Sequence, residues 1–448
     1  MSPAPATALA RLASLVGEEN CLSDPGALAQ CEASGVRPGA VVRPGTAEEV
    51  AEVVRFAAAE KLALIACGGR SKLSIGMPPL RDDVAVDVSR LNRVVAYDPG
   101  DLTLSVEAGI GIAPLLDALR ERNQWLPLLV PWLQRATIGG ILSSNSVSPL
   151  RYMFGGPRDF VLGVEFVTGD GKLCKSGSRV VKSVAGYDLH KLLLGALGTL
   201  GIITRVNFRT FPLPRAQRCF VATFQDASSA FDLCARIARS PLKPALVEML
   251  DPGAARIVAD EKVPADGWSV VIAAIGHEAV VERHARELAQ LASESRASSF
   301  ASLEDAEKQR LLERVREFVR LAGEQHPRAA IVRGSALPQE LAGSCDSLAR
   351  AATANGCRCA IVVRAVSTVY AVLIPGDGGE PGLEAALRSA LDASRSGAHA
   401  WIEHCPAEMK QRINVWGPVR ADFALMKQVK QVFDPHGILS PGRFAGGL

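Results

Sequence analysis

Apolar and polar positions follow two different periods along this chain. Residues 7–16 and 25–33 space their apolar side chains three and four apart, which predicts two short amphipathic helices. A turn at Arg37-Pro38-Gly39 precedes a short strand at 41–43. Thr46 then caps a helix over 47–60, with Glu49 in the capping-box position. The apolar run 62–66 is a buried strand that leads straight into the loop CGGRSKLSIG at 67–76. Alternation predicts strands at 83–88, 93–97 and 102–108. Leu115, Leu116 and Leu119 share one face of a helix over 112–122.

From 131 to 210 short β-branched runs are separated by small residues, and Gly139, Gly140, Gly186, Gly195, Gly198 and Gly201 crowd together. Glycine costs backbone entropy and serves where a chain turns sharply or lies close to another group. Residues 159–167 and 172–175 read as a hairpin around Thr168-Gly169-Asp170-Gly171, 189–197 as a helix, and 202–208 as a strand.

Beyond Pro212-Leu213-Pro214 the pattern is simpler. Strands at 220–224, 246–250, 268–274, 329–333, 359–365 and 368–375 are interleaved with helices at 227–238, 278–293, 303–321, 339–352 and 383–393, an α/β-sandwich-like second domain. The tail has a strand at 400–403, a helix at 423–433 and turns at Asp434-Pro435, His436-Gly437 and Pro441-Gly442. Its Ile438, Leu439 and Phe444 predict docking against the body.

At 448 residues the chain has room for two or three domains, and 48% hydrophobic with 22% charged residues excludes disorder. A net charge of +3, with no basic tract interleaved with aromatics, gives no sign of a nucleic-acid partner. No run of eighteen apolar residues is present, so a spanning helix is not expected, and the N-terminus lacks the basic start of a secretory signal. The ten cysteines are scattered, and Cys357-Arg358-Cys359 is spaced more tightly than a metal knuckle. They read as core thiols in a reducing compartment. The histidines at 190, 277, 284, 326, 399, 404 and 436 show no close ligand spacing, so no metal site is assigned.

Two stretches carry candidate chemistry. Gly68-Gly69, leaving a strand, exposes backbone N–H groups suited to an anion, with Arg70 or Lys72 adding charge; a plain glycine turn with solvent-facing bases reads equally from the residues. The loop is neither a G-x-G-x-x-G fingerprint nor a Walker loop. Residues 136–141 (ATIGGI) bring backbone against a ligand edge, with Thr137 and Ser143 as polar handles and Ser144 and Asn145 as cap or turn residues.

Taken in order, GGRSK at 68–72, TIGG at 137–140, KSVAGYDL at 182–189 with the glycines up to Gly201, and FDPHGILSPGRF at 433–444 resemble the FAD-binding PCMH-type oxidoreductases of the vanillyl-alcohol oxidase family. The likeness is greatest to the E subunits of glycolate oxidase (glycolate dehydrogenase), over 40–215 and 400–444. It implies an α+β fold: an N-terminal helical segment (1–39), a two-part PCMH-type FAD-binding domain (40–215), an inserted α/β cap domain (216–399) and a C-terminal segment (400–448) returning to the flavin domain. It further implies phosphate contacts from Gly68, Gly69, Arg70 and Ser71. Thr137, Gly139 and Gly140 would lie along the pyrophosphate and flavin. Gly186, Tyr187 and Asp188 would line the cofactor channel, with Tyr187 reading equally as core packing. Gly198, Thr199, Gly201 and Ile203 would support the ribityl, phosphate or adenine region, and Arg443 would lie in the returning tail.

Covalently flavinylated members carry histidine after the paired glycines; Arg70 stands there, so non-covalent FAD is expected. Ser440 takes a place where asparagine is common. No catalytic residue is assigned. The resemblance implies a complex with a second FAD-containing subunit and an iron–sulfur subunit, oxidising glycolate or a related 2-hydroxy acid. Such a complex would be cytoplasmic, at most at the inner face of the cell membrane. Two alternatives stand beside it: a stand-alone FAD-dependent dehydrogenase for another hydroxy acid or alcohol, and a scaffold subunit that keeps the fold without redox catalysis.

Overall fold

The computed structural model describes residues 6–179, 187–393 and 399–448. The flavin half contains two small sheets besides a two-stranded pair, Gln124–Trp125 with Phe211–Pro212. In the first, Ala40–Val42, Val84–Asp87 and Leu64–Cys67 lie parallel, with Cys21–Leu22 antiparallel at the edge. Its three parallel strands are buried and almost wholly apolar, as strands covered on both faces must be. The helix Ala47–Glu60 covers one face with Val50, Val53, Val54 and Ala57. Thr46 caps its start as expected, Oγ1 accepting from Glu49 N at 3.1 Å, but the Glu49 carboxylate accepts from Gly45 N at 2.7 Å instead of Thr46 N, one residue off the expected capping box. The second sheet is antiparallel, in the order Val94–Asp98, Thr103–Glu107, Ile202–Arg209, Val161–Val167, Leu173–Gly177.

The cap is built on an eight-stranded sheet in the order Ser299–Leu303, Ala216–Phe224, Trp268–Gly276, Leu246–Leu250, Cys357–Arg364, Thr368–Pro375, Ala330–Ser335, His399–His404. Along Ala216–Phe224, Phe220, Ala222 and Phe224 feed one hydrophobic core while Cys219 and Val221 feed the other. Helices therefore cover both faces. Because His399–His404 pairs with Ala330–Ser335, a boundary at 400 falls inside the cap sheet, and the returning tail begins after that strand.

Three expected elements differ. The helix expected over 189–197 is a single turn, His190–Leu193. Leu197, Gly195 and Gly198 take positive φ, and the N–H groups of Gly195 and Leu197 cap Leu142 and Ser143 carbonyls at 2.9 Å. The helix expected over 303–321 is a strand, Ser299–Leu303, followed by two helices, Asp305–Arg316 and Phe318–Gln325. Glu317 breaks the helix (ψ 7). Its buried carboxylate accepts from Trp132 N of the flavin half at 2.9 Å and from Arg316 and Arg320. Finally, Ile138–Ser143, read as ligand-facing backbone, is a short helix capped by Thr137.

The tail does dock. Leu64 N donates to Ile438 O, and Ser440 N to Leu64 O, both at 2.8 Å, so the tail extends the edge of the first sheet beside the loop after Cys67. Asp434 organises this return: its buried carboxylate accepts from Ile438 N (3.1 Å), Leu439 N (2.8 Å) and Lys430 Nζ (2.6 Å). Asp434→Ala strands the Ile438 and Leu439 N–H groups and leaves the Lys430 ammonium, which keeps the Thr199 and Leu439 carbonyls, without its counter-ion. It is expected to cost about 2–4 kcal/mol in urea unfolding, with amide exchange accelerating at residues 438–440.

Candidate functional site

Where the strand Leu64–Cys67 ends, Gly68-Gly69 passes under Thr137 and Arg135. A Cβ on Gly68 would lie 2.5 Å from Thr137 Oγ1, and one on Gly69 would overlap the Arg135 carbonyl oxygen. Only glycine lets these segments approach so closely. Arg70 follows at φ 56, turning the chain. Among the described residues, the backbone N–H groups of Gly68 to Leu73 find no hydrogen-bond acceptor, and these residues form one wall of a narrow cleft of about 70 Å³. A run of free N–H groups along a concave wall is an anion-binding arrangement.

Ala136, Thr137, Gly140, Ser143, Ser144, Leu197, Gly198 and Arg443 complete the cleft. Arg443 is buried, and burial pushes its guanidinium down to about 10. Its Nη2 donates to Leu73 O and Ile75 O at 2.7 Å, which fixes the loop, while Nε has no partner among the described residues. Ser440 Oγ is likewise buried without a partner, close to Gly198. Burial pushes Lys72 down to about 8, with Glu403 and Glu317 pulling it back, and its Nζ sits 5.5 Å from the Trp132 ring centroid. A dense set of donors on a glycine-cleared wall suits a diphosphate, so the residues present fit the pyrophosphate of FAD.

Of the expected contacts, Gly68, Gly69, Arg70, Ser71, Thr137, Gly140, Gly198 and Arg443 line this cleft. Arg70's charge is directed elsewhere. Its guanidinium pairs with the fully buried Asp87 and donates to Gln30 Oε1 at 3.2 Å, because a buried carboxylate demands a counter-ion. Arg70 therefore braces the loop. Gly139 lies behind the cleft: its N–H donates to Ala108 O at 2.7 Å and a Cβ there would press on Ala108, so it is a packing glycine. Gly201 packs on Phe166 and Val167, and Ile203 lies inside the second sheet's core. Thr199 sits under the tail helix, its carbonyl accepting from Lys430 Nζ at 2.8 Å. Tyr187, expected in the channel or the core, is 89% exposed, and Asp188 pairs on the surface with Lys191 at 2.5 Å. Gly186 lies outside the described residues.

Ser144 and Leu197 line both the cleft and a neighbouring chamber of about 420 Å³ between the flavin half, the cap and the tail. Its cap wall carries Arg333 and Trp401; the tail adds Trp416, Arg420 and Phe444; His399 stands at the rim. Trp401 and Trp416 stack with centroids 5.1 Å apart, and Trp416 Nε1 donates to Arg443 O at 3.0 Å, tying this wall to the phosphate cleft. Arg333 is held by Glu403 Oε2 at 3.1 Å and Asn145 O at 3.4 Å, over the Trp401 ring at 5.4 Å. Of these chamber residues only Phe444, in the tail motif, is marked by local pattern. His399 and Arg420 occur in unremarkable segments, and Arg333 only as the end of a strand.

Among the described residues there is no group of three or more His, Cys, Asp or Glu able to hold a metal ion, and no helix is long and apolar enough to cross a membrane. Residues 38–177 match the family described as FAD binding domain, and residues 213–444 match FAD linked oxidases, C-terminal domain. The chain is 26% identical over 423 residues to the mitochondrial D-lactate dehydrogenase [cytochrome] of Arabidopsis thaliana, covering 91% of this chain and 73% of that protein. It is 36% identical over 166 residues to glycolate oxidase subunit GlcE of Escherichia coli, covering 37% of this chain and 47% of that one. In fold it superposes on 4-ethylphenol oxidase from Gulosibacter chungangensis with a TM-score of 0.76 at 17% identity, covering 98% of this chain and 96% of the other.

Proposed function

The chain belongs to the FAD linked oxidases, and from that premise we propose that it is an FAD-dependent dehydrogenase of small 2-hydroxy acids working from a substrate chamber of its own. The observation that carries this reading is the chamber that shares Ser144 and Leu197 with the phosphate cleft and is walled by the cap, with the Arg333 cation on that wall. Similarity to the plant D-lactate dehydrogenase runs through flavin half and cap alike, which supports a chain with both cofactor and substrate walls.

On this reading residues 40–215 hold the flavin, with its phosphates on the Gly68–Leu73 wall, and the cap holds the substrate. FAD bound there supplies the acceptor for the hydride that leaves the hydroxyl-bearing carbon. Arg333 keeps N–H groups beyond those given to Glu403 and Asn145, and these would hold a carboxylate. Burial pushes His399 down, so its imidazole is neutral at pH 7 and suited to accept the hydroxyl proton at the chamber rim. Trp401 and Trp416 keep water from the far wall.

The test is anaerobic addition of glycolate, D-lactate and a 2-hydroxy dicarboxylate to the purified flavoprotein. Loss of absorbance near 450 nm with one of them is the expected result, and acid precipitation should leave the flavin in the supernatant, as non-covalent binding requires. A second reading has its own support in the 36% identity, over 166 residues, to a glycolate oxidase subunit. There the chain is one FAD subunit of a complex with a second flavoprotein and an iron–sulfur partner. Flavin that stays oxidised with every substrate until partner subunits are added decides for that reading.

Arg333→Met should lower kcat/KM by about 10- to 100-fold, chiefly through KM, the equivalent of one charge-assisted hydrogen bond. Flavin content should not change. The Arg333→Met/Glu403→Gln double variant removes the stranded carboxylate and should regain stability without regaining activity.

A further inference from the structure

We propose that Cys31 and Cys67 are a reversible dithiol–disulfide pair beneath the phosphate cleft, with Cys31 as the peroxide-reactive sulfur and Cys67 as the resolving one. The two Sγ atoms lie 3.8 Å apart, 36 residues apart in sequence, in a small cluster of their own with Val41 and Ala85. Cys67 is the last residue of the strand that enters the glycine loop, and it lines the cleft; Cys31 sits behind it. Cys21, Cys219 and Cys357 instead donate to backbone carbonyls.

The surroundings divide the roles. Bonding from the Cys67 thiol, with the Arg70 guanidinium close by, holds Cys31 down to about 7 against its burial, while Cys67 is pushed up by its bond to Cys31 and by full burial. A thiolate-prone sulfur beside a protonated partner is the arrangement that peroxide attacks. Asp87, paired with Arg70, is the nearby anion that limits the effect.

The balance closes with hydrogen peroxide as the oxidant. The Cys31 thiolate attacks one peroxide oxygen; an S–O bond forms, the O–O bond breaks and hydroxide leaves. Cys67 sulfur then attacks the sulfenic sulfur; the S–S bond forms, the S–O bond breaks, and the departing hydroxide takes the Cys67 proton as water. Two electrons pass from the two thiols to peroxide, which ends as two waters.

Closing the sulfurs from 3.8 Å to a bond of roughly 2.05 Å draws the two side chains together at the residue next to Gly68. Whatever share of that movement the backbone of Cys67 takes up displaces the N–H groups that line the cleft. The inference rests on the flavin assignment of this cleft and is independent of the substrate reading.

The experiment exposes the purified flavoprotein to hydrogen peroxide, blocks free thiols with iodoacetamide and maps unreduced peptides by mass spectrometry, with FAD titrated in parallel. The expected result is a linked peptide joining residues 31 and 67, an FAD Kd raised at least tenfold, and reversal of both by dithiothreitol. Cys31→Ala should bind FAD like the reduced protein and resist peroxide; Cys31→Ser serves if the alanine variant does not fold. The linked peptide is read in the unmodified sequence, so it stands apart from either variant. Recovery of Cys31 and Cys67 only as separately alkylated or over-oxidised thiols overturns the proposal. So does a linked peptide with unchanged FAD affinity, or a Cys31→Ala protein that loses FAD under peroxide as the parent does.

Discussion

Gly69→Ala is expected to yield protein that has lost its flavin. The added methyl would overlap the Arg135 carbonyl oxygen, which belongs to backbone packed directly against the loop. No rotamer change relieves a clash between two main chains, so the Gly68–Leu73 loop and the segment before Thr137 must separate. Overpacking costs roughly 1–3 kcal/mol where side chains can adjust, and main chain adjusts less. The loop's free N–H groups then no longer point together, and each contributes only while aligned on the same anion. An FAD affinity lower by roughly 10- to 100-fold follows, each factor of ten being about 1.4 kcal/mol. Fluorescence titration with FAD measures it. Gly323→Ala is the control: it lies in the helix Phe318–Gln325, a Cβ there meets nothing within 4 Å, and flavin binding should be untouched. Wild-type affinity in Gly69→Ala would remove this loop from the cofactor site.

The same glycine shows why part of the site was legible in sequence. Gly68-Gly69 directly after an apolar strand is a local signal, and so is the succession of turns around Asp434 and Gly442, since both follow from neighbouring residues. Which glycines face a ligand is not local. Gly139 and Gly140 are adjacent, yet one packs on Ala108 and the other lines the cleft, a difference set by the strand behind them. Arg70 read as a phosphate ligand because its buried partner, Asp87, is 17 residues away. The chamber was invisible for the same reason. Arg333, Trp401 and Arg420 meet only because the cap sheet closes with His399–His404 and the tail then folds back. Glu317 was absorbed into one long helix because its partner Trp132 stands 185 residues earlier.

Arg364→Met should be the most destabilising single change at the junction of cap and flavin half. Arg364 and Glu248 are both fully buried, with Arg364 Nε 2.8 Å from Glu248 Oε2. The guanidinium also donates to Val315 O at 2.9 Å, in the last turn of Asp305–Arg316, and to Val147 O of the flavin half at 3.3 Å. One cation thus joins a cap strand, the negative end of a helix and the opposite domain. Burial already pushes Glu248 up to about 7 against the attraction of Arg364, and its Oε1 has no partner among the described residues. Without Arg364 no cation offsets that burial, only the Ala365 backbone N–H, and breaking a buried pair from one side costs about 3–5 kcal/mol. The sign with pH follows from linkage. A carboxyl with a raised folded pKa holds a proton that the unfolded chain has released, so folded-state stability falls as pH rises from the unfolded value through the folded one. In the parent this loss is complete near pH 7, whereas in Arg364→Met it continues to higher pH. Urea unfolding at pH 5 and pH 8 should show a gap between parent and variant that widens with pH. Arg364→Met/Glu248→Gln, with no charge left to strand, should recover most of the loss and flatten the pH dependence. A single variant as stable as the parent at pH 8 would mean that Glu248 does not depend on Arg364 as its counter-charge.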